Sequence, residues 1–197
     1  MQSHIIIPDR LLTIDGFFSP DECAAHIRRS EGEGYEAATI STRAGAVMNT
    51  SIRNNDRLIA DDPELAETLW ERIQPFVPSP LFGREAISLN ERLRYYRYES
   101  GQTFKPHQDG SFRRDNGEKS QVTFMVYLND GFGGGSTNFD LRYPHGEVEI
   151  VPRAGMALLF VHSFRHEGAV VTSGAKYVLR SDVMYSAQSD GSADDED

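Results

Sequence analysis

The sequence predicts a mainly β protein with flanking helices, an α+β fold whose core is an antiparallel sandwich or barrel. Residues 86–185 contain short apolar runs of strand length, which recur at roughly 8 to 12 residues between turns. Residues 1–85 instead carry two segments with helix start signals. At 197 residues and 39% hydrophobic content, the chain fits a single compact domain.

Two helices are predicted in the first part of the chain. In "SPDECAAHIRRS", Ser19 is a candidate N-cap, Pro20 suits the first helical position, and Glu22 completes a capping box. In "DDPELAETLWERIQPF", Asp62 precedes Pro63 in the same way. The second helix has one apolar face, formed by Leu65, Leu69, Ile73 and Phe76.

The segment between these helices, "AATISTRAGAVMNTSIRNNDR", alternates short apolar residues and is interrupted by Gly45 and the pair Asn54-Asn55. This pattern is typical of a hairpin or a long mobile loop. We therefore predict that residues 1–85 form a helical support with a lid.

The second part of the chain is predicted to be strands. The helices should brace the outside of one sheet of this core. Residues 186–197 are acidic and have no large apolar side chain, so this tail should be disordered. The strand-sized runs are "RLRYYRY", "QVTFMVYLN", "STNFDL", "GEVEIV", "MALLFV", "HEGAVV" and "KYVLRSDVMY".

Charge and cysteine content exclude several classes of function. The net charge of −10 opposes binding to nucleic acid or to anionic membranes, because both require clustered cations. Cys23 is the only cysteine, so an internal disulfide and a multi-cysteine zinc site are excluded. The N-terminus lacks the features of a signal peptide or a membrane span. We expect a soluble, cytoplasmic protein, and its oligomeric state is left open.

The stretch "KPHQDGSF" places His107 and Asp109 two positions apart, so both side chains point to one face if the backbone is extended. A surface histidine beside a solvated aspartate is the commoner meaning of such a pair. His166, which opens a later strand, is the preferred third ligand. His162 in an apolar run and His145 in a turn are the alternatives. Two imidazoles and one carboxylate suit a non-haem Fe(II) site, although they also suit zinc.

Lys176 follows His166 by ten residues and begins an otherwise apolar strand. A buried charge there would be costly unless an anion meets it, and a carboxylate-bearing cosubstrate would provide that anion. Alternatively, the lysine reaches solvent at the strand end.

Four separated motifs occur in order: "YESGQTFKPHQDG", "TFMVYLNDGFGGGSTNF", "PRAGMALLF" and "HEGAVVTSGAKYVL". Together they resemble the prolyl 4-hydroxylase-like branch of the Fe(II)- and 2-oxoglutarate-dependent oxygenases, over roughly residues 90–185. The resemblance implies a single oxygenase domain over 1–185 with a double-stranded β-helix (jelly-roll) core at 86–185. It implies Fe(II), 2-oxoglutarate as cosubstrate and dioxygen, with ascorbate as a further support of turnover.

The same resemblance implies that the iron ligands are His107, Asp109 and His166. It assigns Lys176 to the distal carboxylate of 2-oxoglutarate, assisted by Tyr98. Two further residues have open roles. Arg180 would reach the substrate, pair with Asp182, or replace Lys176 as the anchor if the strand register is shifted. Thr123 would hydrogen-bond the cosubstrate, or it would be present only because threonine favours β-strands.

The predicted function is hydroxylation of an unactivated carbon, with a prolyl residue of a protein or peptide as the first candidate and a free amino acid or other small metabolite as the alternative. Arg53, Arg57, Arg113 and Arg114 would suit an acidic substrate, although loop arginines are commonly only solvated. A non-catalytic metal-binding jelly-roll and a zinc hydrolase are the rivals from other classes.

Overall fold

The computed structural model describes residues 1–42, 45–47, 49–141 and 144–188. Two α-helices, α1 (Pro20–Glu33) and α2 (Pro63–Ile73), lie in the first half of the chain, and a short 3-10 helix (Gln74–Phe76) extends α2. Most of the acidic tail, from residue 189 onward, lies outside the described residues, so its predicted disorder stays a prediction.

The remaining elements are strands, and all of their pairings are antiparallel. In chain order they are β1 (Gln2–Ile7), β2 (Leu11–Asp15), β3 (Glu36–Ala37), β4 (Ile40–Thr42), β5 (Gly45–Val47), β6 (Asp56–Asp61), β7 (Ala86–Leu89), β8 (Arg92–Tyr98), β9 (Phe104–His107), β10 (Lys119–Tyr127), β11 (Gly133–Gly134), β12 (Thr137–Asp140), β13 (Glu147–Ile150), β14 (Ala157–Val161), β15 (Arg165–Gly168), β16 (Val171–Ser173) and β17 (Lys176–Tyr185).

Two sheets form the β core. The main sheet has the order β1-β2-β14-β10-β17-β8-β6-β3, and β7 also pairs with β17. The minor sheet has the order β13-β12-β15-β9, and two short ribbons, β11-β16 and β4-β5, complete the structure. The fold is the expected double-stranded β-helix with two helices, because antiparallel strands of both sheets face each other across one interior.

The helices pack on the outer face of the main sheet, as the sequence predicts. Cys23 of α1 and Leu69 and Ile73 of α2 are buried in one apolar cluster with outward-facing residues of β8, β10 and β17. The predicted capping box of α1 is present: the Ser19 hydroxyl accepts from the Glu22 N–H, and the Glu22 carboxylate accepts from the Ser19 N–H.

A second apolar cluster fills the space between the two sheets. It contains inward-facing tyrosines of β8 together with Phe139 of β12 and Phe160 of β14. Residues at alternate positions of β17 share this inner face, so Lys176, Val178 and Arg180 point between the sheets. The strand register therefore places two cations in the interior.

The structure also departs from the predicted strands. The predicted runs leave out β1, β2, β6, β7 and β9, which are short or mix polar and apolar residues without clean alternation, and also the two-residue strands β3 and β11. The run "HEGAVV" is divided between β15 and β16, since Ala169 donates to the Ser136 carbonyl and Val171 to that of Gln102, and the chain changes sheet there. No helix within the described ranges is long and apolar enough to span a membrane.

The predicted lid segment is partly described. β4 and β5 pair as a hairpin, whereas residues 43, 44 and 48 lie outside the described residues. The pair Asn54-Asn55 does not provide free backbone. The Asn54 side chain accepts from the Thr103 N–H at 2.8 Å, and Asn55 is buried and donates to the Asp56 carbonyl at 2.7 Å. Residues 54 and 55 are thus fixed against the β8–β9 connection and β6.

Candidate metal centre and its two cavities

The minor sheet places two histidines side by side. His107 ends β9, His166 lies in β15, and the two residues are direct partners in the pairing of these strands. Their ring centroids are 4.3 Å apart. Asp109 follows two residues after β9, and its N–H donates to the His162 carbonyl at 3.2 Å.

One ligand atom from each of His107, Asp109 and His166 lies within 4.8 Å of the others. The His107 Nε2 is 3.7 Å from one Asp109 oxygen, and the His166 Nε2 is 3.8 Å from the other. Each Nδ1 faces a backbone carbonyl, that of Lys105 at 2.8 Å and that of Phe164 at 3.1 Å. An Nδ1–H that donates to a carbonyl leaves Nε2 unprotonated and directed at a shared point, which is the form that binds a metal.

The electrostatics also fit a divalent cation. Burial, with a smaller effect from His166, lowers the pKa of His107 to about 4, and burial also lowers the pKa of His166. Burial alone would raise the pKa of Asp109, but Arg180 and the neighbouring imidazoles lower it to about 2. At neutral pH the cluster therefore offers two neutral imidazoles and one carboxylate, a set that suits Fe(II) with open positions for other ligands.

Asp109 is held from the main sheet. The Thr123 hydroxyl of β10 donates to one of its oxygens at 2.6 Å, and the Arg180 guanidinium of β17 lies 3.0 Å from the other. Arg180 also contacts Asp182 at 3.1 Å, and Asp182 in turn pairs with Arg94 of β8 at 3.1 Å. This network fixes the carboxylate that the predicted metal needs.

Behind the histidines, toward β17, lies an inner cavity. Lys176 stands at one side of it, and its Nζ donates to the Gly135 carbonyl at 2.6 Å. Gly135 has a φ of +68°, and a Cβ there would meet Phe132 at 2.9 Å, so glycine is required at this position. The cavity is lined by Tyr96, Tyr98, Phe104, His107, Asp109, Thr123, Met125, Thr137, Phe160, His166, Gly168, Lys176, Val178 and Arg180.

Lys176 is a buried cation that lacks an acidic partner within the described ranges. It is only 3% exposed, and its Nζ lies 5.4 Å from the ring centre of Tyr98 and 5.3 Å from that of Tyr127. Burial lowers its pKa to about 7. The alternative that Lys176 reaches solvent is therefore wrong, and an incoming carboxylate would stabilise its charged form.

The other residues predicted for the cosubstrate have distinct positions. Tyr98 is the direct strand partner of Lys176 and lines the inner cavity beside it. Thr123 also lines the cavity, but its hydroxyl hydrogen is used by Asp109. Arg180 is already paired with Asp109 and Asp182, so the observed register favours Lys176 as the anchor.

On the other side of the metal cluster lies an entrance cavity that opens toward the lid segment. Two of the predicted substrate residues, Arg53 and Arg57, line it, together with Arg94, Tyr96, Phe104, His107, Asp109, Arg180 and Asp182. Arg113 and Arg114 do not line it. Arg113 is exposed, and its backbone forms an isolated β-bridge with that of Lys119. The Arg114 side chain is paired with Glu91 and Glu118.

Sequence reasoning missed two groups in this site. Arg94 and Tyr96 belong to "RLRYYRY", where period-two alternation with Tyr98 would have placed them on one face. Phe104 stacks on His107 with ring centroids 3.6 Å apart, and no sequence signal distinguishes it from a core residue. His162, the alternative ligand in the apolar run, is buried and lies 3.5 Å from Asp182, outside the metal cluster. His145 is exposed in a turn.

Comparison with known proteins shows which family the chain resembles. Residues 93–181, which hold the three candidate ligands, Lys176 and Arg180, match the family described as the 2OG-Fe(II) oxygenase superfamily. Over this region the chain is similar to that superfamily. Its members use Fe(II), 2-oxoglutarate and dioxygen, which agrees with the cluster and the inner cavity.

Curated relatives named as prolyl 4-hydroxylases are among those that the chain resembles. The chain is 23% identical over 135 residues to prolyl 4-hydroxylase 1 of Arabidopsis thaliana, an alignment that covers 67% of this chain and 47% of the relative. The chain thus spans about half the length of the curated relatives it matches.

Solved structures share the fold. A viral collagen prolyl hydroxylase from Paramecium Bursaria Chlorella virus-1, solved as a 2OG complex, has a TM-score of 0.63 at 22% identity, covering 92% of this chain and 99% of that chain. A prolyl hydroxylase from Trichoplax adhaerens, solved with a hypoxia inducible factor peptide fragment, has a TM-score of 0.67 at 16% identity, covering 89% and 84%.

Proposed function

We propose that the protein is an Fe(II)- and 2-oxoglutarate-dependent dioxygenase that hydroxylates an unactivated carbon, with a prolyl residue of a protein or peptide as the substrate. The observation that carries this proposal is the shared inner cavity. It joins the three metal ligands to Lys176, a buried cation with no acidic partner among the described residues. Only a ligand that binds a metal and also bears a carboxylate would use both ends.

In this proposal one set of residues binds the metal and another binds the cosubstrate. His107, Asp109 and His166 would hold Fe(II), which together with 2-oxoglutarate and dioxygen supplies the oxidising chemistry. Lys176, beside Tyr98, would bind the distal carboxylate and so orient the cosubstrate toward the metal.

The surroundings keep the site in one arrangement. Thr123 and Arg180 hold Asp109 in place from the main sheet. The rings of Phe104 and Phe160 stand against the two histidines and exclude water from that side.

A prolyl substrate is supported by the relatives, since the Arabidopsis protein is named a prolyl 4-hydroxylase and the Trichoplax structure contains a peptide. A free amino acid is the second candidate, because the arginines of the entrance cavity would suit a small carboxylic acid as well as an acidic peptide. The cytoplasmic location stays a prediction.

The test is succinate formation from 2-oxoglutarate with Fe(II) and ascorbate, first without substrate and then with proline-containing peptides. We expect slow succinate formation that the His107→Ala variant lacks, and a product heavier by one oxygen atom when a peptide is accepted. Absence of both succinate formation and 2-oxoglutarate binding in the wild-type protein would refute the proposal.

A further inference from the structure

The entrance cavity is positively charged although the protein is acidic. Four arginines and two aspartates line it, which gives a net formal charge of +2 with the histidine neutral, whereas the whole chain carries −10. A concave site whose charge opposes that of the surrounding protein concentrates ligands of the opposite sign. Its ligand is therefore expected to be an anion.

Arg53 is the buried arginine of this cavity, and contacts with two aromatic rings hold its side chain in place. It is 5% exposed, and its guanidinium carbon lies 4.4 Å from the ring centre of Tyr96 and 4.5 Å from that of Phe104. Its Nε donates to the Asn55 side chain at 2.7 Å, but its buried Nη2 has no hydrogen-bond partner among the described residues. A buried, unpaired N–H of a charged group is costly, so a ligand oxygen that accepts from it would be favourable.

Arg57 provides a second free donor in the same cavity. Its Nη2 donates to the Thr39 hydroxyl at 3.2 Å and lies 3.6 Å from Glu36, an exposed residue. Its Nε is buried and likewise without a partner in the described part of the chain. The cavity thus contains two unpaired guanidinium N–H groups, and a carboxylate has two oxygens that could accept from them.

The aspartates of the cavity do not neutralise these two arginines. Asp182 is paired with Arg94 and Arg180, and Asp109 with Arg180. The positive charge of the cavity changes the pKa of Tyr96. Burial alone would raise its pKa, yet Arg53, followed by Arg180 and Arg94, lowers it to about 8.

The free donor is close to the metal cluster. Phe104 lies between Arg53 and His107, at 4.5 Å from the guanidinium carbon and 3.6 Å from the imidazole centre. Together these distances place the guanidinium carbon at most about 8 Å from the centre of the His107 ring. An anion bound there and a carbon presented to the metal would belong to the same residue or to adjacent residues of one substrate.

We propose that Arg53, assisted by Arg57, binds a carboxylate of the substrate, so that the enzyme selects a substrate with an acidic group beside the carbon it oxidises. The proposal rests on the proposed function and specifies the substrate class of that site. The carboxylate has two potential sources, the α-carboxylate of a free amino acid and the side chain of an acidic residue next to proline in a peptide.

The experiment is calorimetric titration of the Fe(II) protein without oxygen and with saturating 2-oxoglutarate, which occupies the inner cavity. The small-molecule arm compares L-proline with L-prolinamide, and the peptide arm compares Ac-Pro-Glu-NH2 with Ac-Pro-Gln-NH2. In one arm we expect the acid to bind at least about tenfold more tightly than its amide, because hydrogen bonds to charged groups are stronger than neutral ones. The arm in which the acid binds more tightly shows whether the carboxylate belongs to a free amino acid or to an acidic side chain of a peptide.

The variant Arg53→Gln should abolish the preference, and Arg57→Gln should reduce it. Arg53→Lys, which keeps the charge and the stem but loses the planar fork, serves as the second variant should the glutamine destabilise the fold, and it should weaken acid binding. The matched control is Arg114→Gln, outside the cavity, which should keep the full preference. Acids that bind no better than their amides in both arms, or a preference unchanged in Arg53→Gln and Arg53→Lys, would overturn the proposal.

Failure of this inference is separable from failure of the proposed function. The absorption band of the Fe(II)–2-oxoglutarate complex and succinate formation test the inner cavity without any substrate. If both are present and no acid preference is found, the hydroxylase stands and its substrate is not selected by a carboxylate at Arg53.

Discussion

At the scale of single residues, three side chains are proposed to bind iron. His107→Ala and Asp109→Ala should each lose stoichiometric Fe(II), because each removes one of the three proposed ligands. His162→Ala should retain Fe(II), since His162 lies outside the cluster although it is buried beside Asp182. The measurement is iron content after gel filtration, with circular dichroism as the control for folding. Equal iron loss in all three variants would require a different ligand set.

Lys176 and Arg180 should have different effects on the cosubstrate. Lys176→Ala should weaken 2-oxoglutarate binding by about 10- to 100-fold with Fe(II) affinity unchanged, because the ligand carboxylate loses its one charged donor. Arg180→Ala should change 2-oxoglutarate binding far less, since Arg180 is paired with Asp109 and Asp182. Anaerobic titration of the absorption band measures both variants. A band lost in Arg180→Ala but kept in Lys176→Ala would exchange the two roles.

The lowered pKa of Lys176 makes cosubstrate binding depend on pH. In the free protein the lysine loses its proton as pH rises through about 7, whereas a bound carboxylate requires the charged form. The affinity for 2-oxoglutarate should therefore fall above pH 7, by up to about tenfold per pH unit. Lys176→Arg is the control, since arginine stays charged and should remove this dependence. An affinity in the wild type that does not change between pH 7 and 9 would contradict the explanation.

The same lysine should destabilise the ligand-free protein. Its pKa is lowered on folding from 10.5 to about 7, so between these values the unfolded chain binds a proton that the folded chain does not. The contribution of Lys176 to the free energy of unfolding therefore rises with pH between about 7 and 10.5, and its destabilising effect is fully present below about pH 7. A buried cation kept at this cost is expected where a ligand, rather than the fold, requires it.

The sequence predicts the site residues that belong to a local pattern, but it does not distinguish those whose role depends on contacts between distant parts of the chain. The spacing of His107 and Asp109 is local and is visible in any strand, and Lys176 lies at a fixed offset from His166. Arg53 differs, because its burial depends on stacking against Tyr96 and Phe104, which are distant in sequence. Sequence reasoning could name it as a candidate but could not separate it from the solvated Arg113.

At the scale of elements, strands rich in aromatic and β-branched residues are predicted with their limits unchanged. β8 and β17 match "RLRYYRY" and "KYVLRSDVMY", and both strands are buried over most of their length. β6, with the sequence "DRLIAD", lies between β8 and the edge strand β3 and has no such composition. Its strand conformation comes from pairing with β8, a long-range contact that local sequence does not report.

The N-terminus of α1 gives a prediction at this scale. Ser19→Ala should reduce the free energy of unfolding by about 1 kcal/mol, because the reciprocal bonds between Ser19 and Glu22 satisfy two N–H groups that the helix leaves free. Urea unfolding measures the change, and Ser19→Asn should restore most of it. Since α1 packs on the outer face of the main sheet, iron content should stay at the wild-type level. A loss of iron would mean that the outer helix influences the metal centre.

At the scale of the whole molecule, the candidate site connects the two sheets. The minor sheet supplies His107 and His166, whereas the main sheet supplies Lys176 and the residues that hold Asp109. The double-stranded β-helix is thus a frame in which neither sheet alone has a complete site. A ligand that spans the interior must contact both.

This arrangement predicts that iron and 2-oxoglutarate together stabilise the whole fold. A ligand that binds only the folded state adds RT ln(1 + [L]/Kd), about 2.7 kcal/mol at a concentration of 100 times Kd. The melting temperature should therefore rise with Fe(II) and rise further with 2-oxoglutarate, measured without oxygen. Asp109→Ala should lose both increments and Lys176→Met only the second, while Ser19→Ala should keep both from a lower starting value. If 2-oxoglutarate stabilises the Asp109→Ala variant as much as the wild type, the cosubstrate does not bind through the metal, and the two ends of the inner cavity act independently.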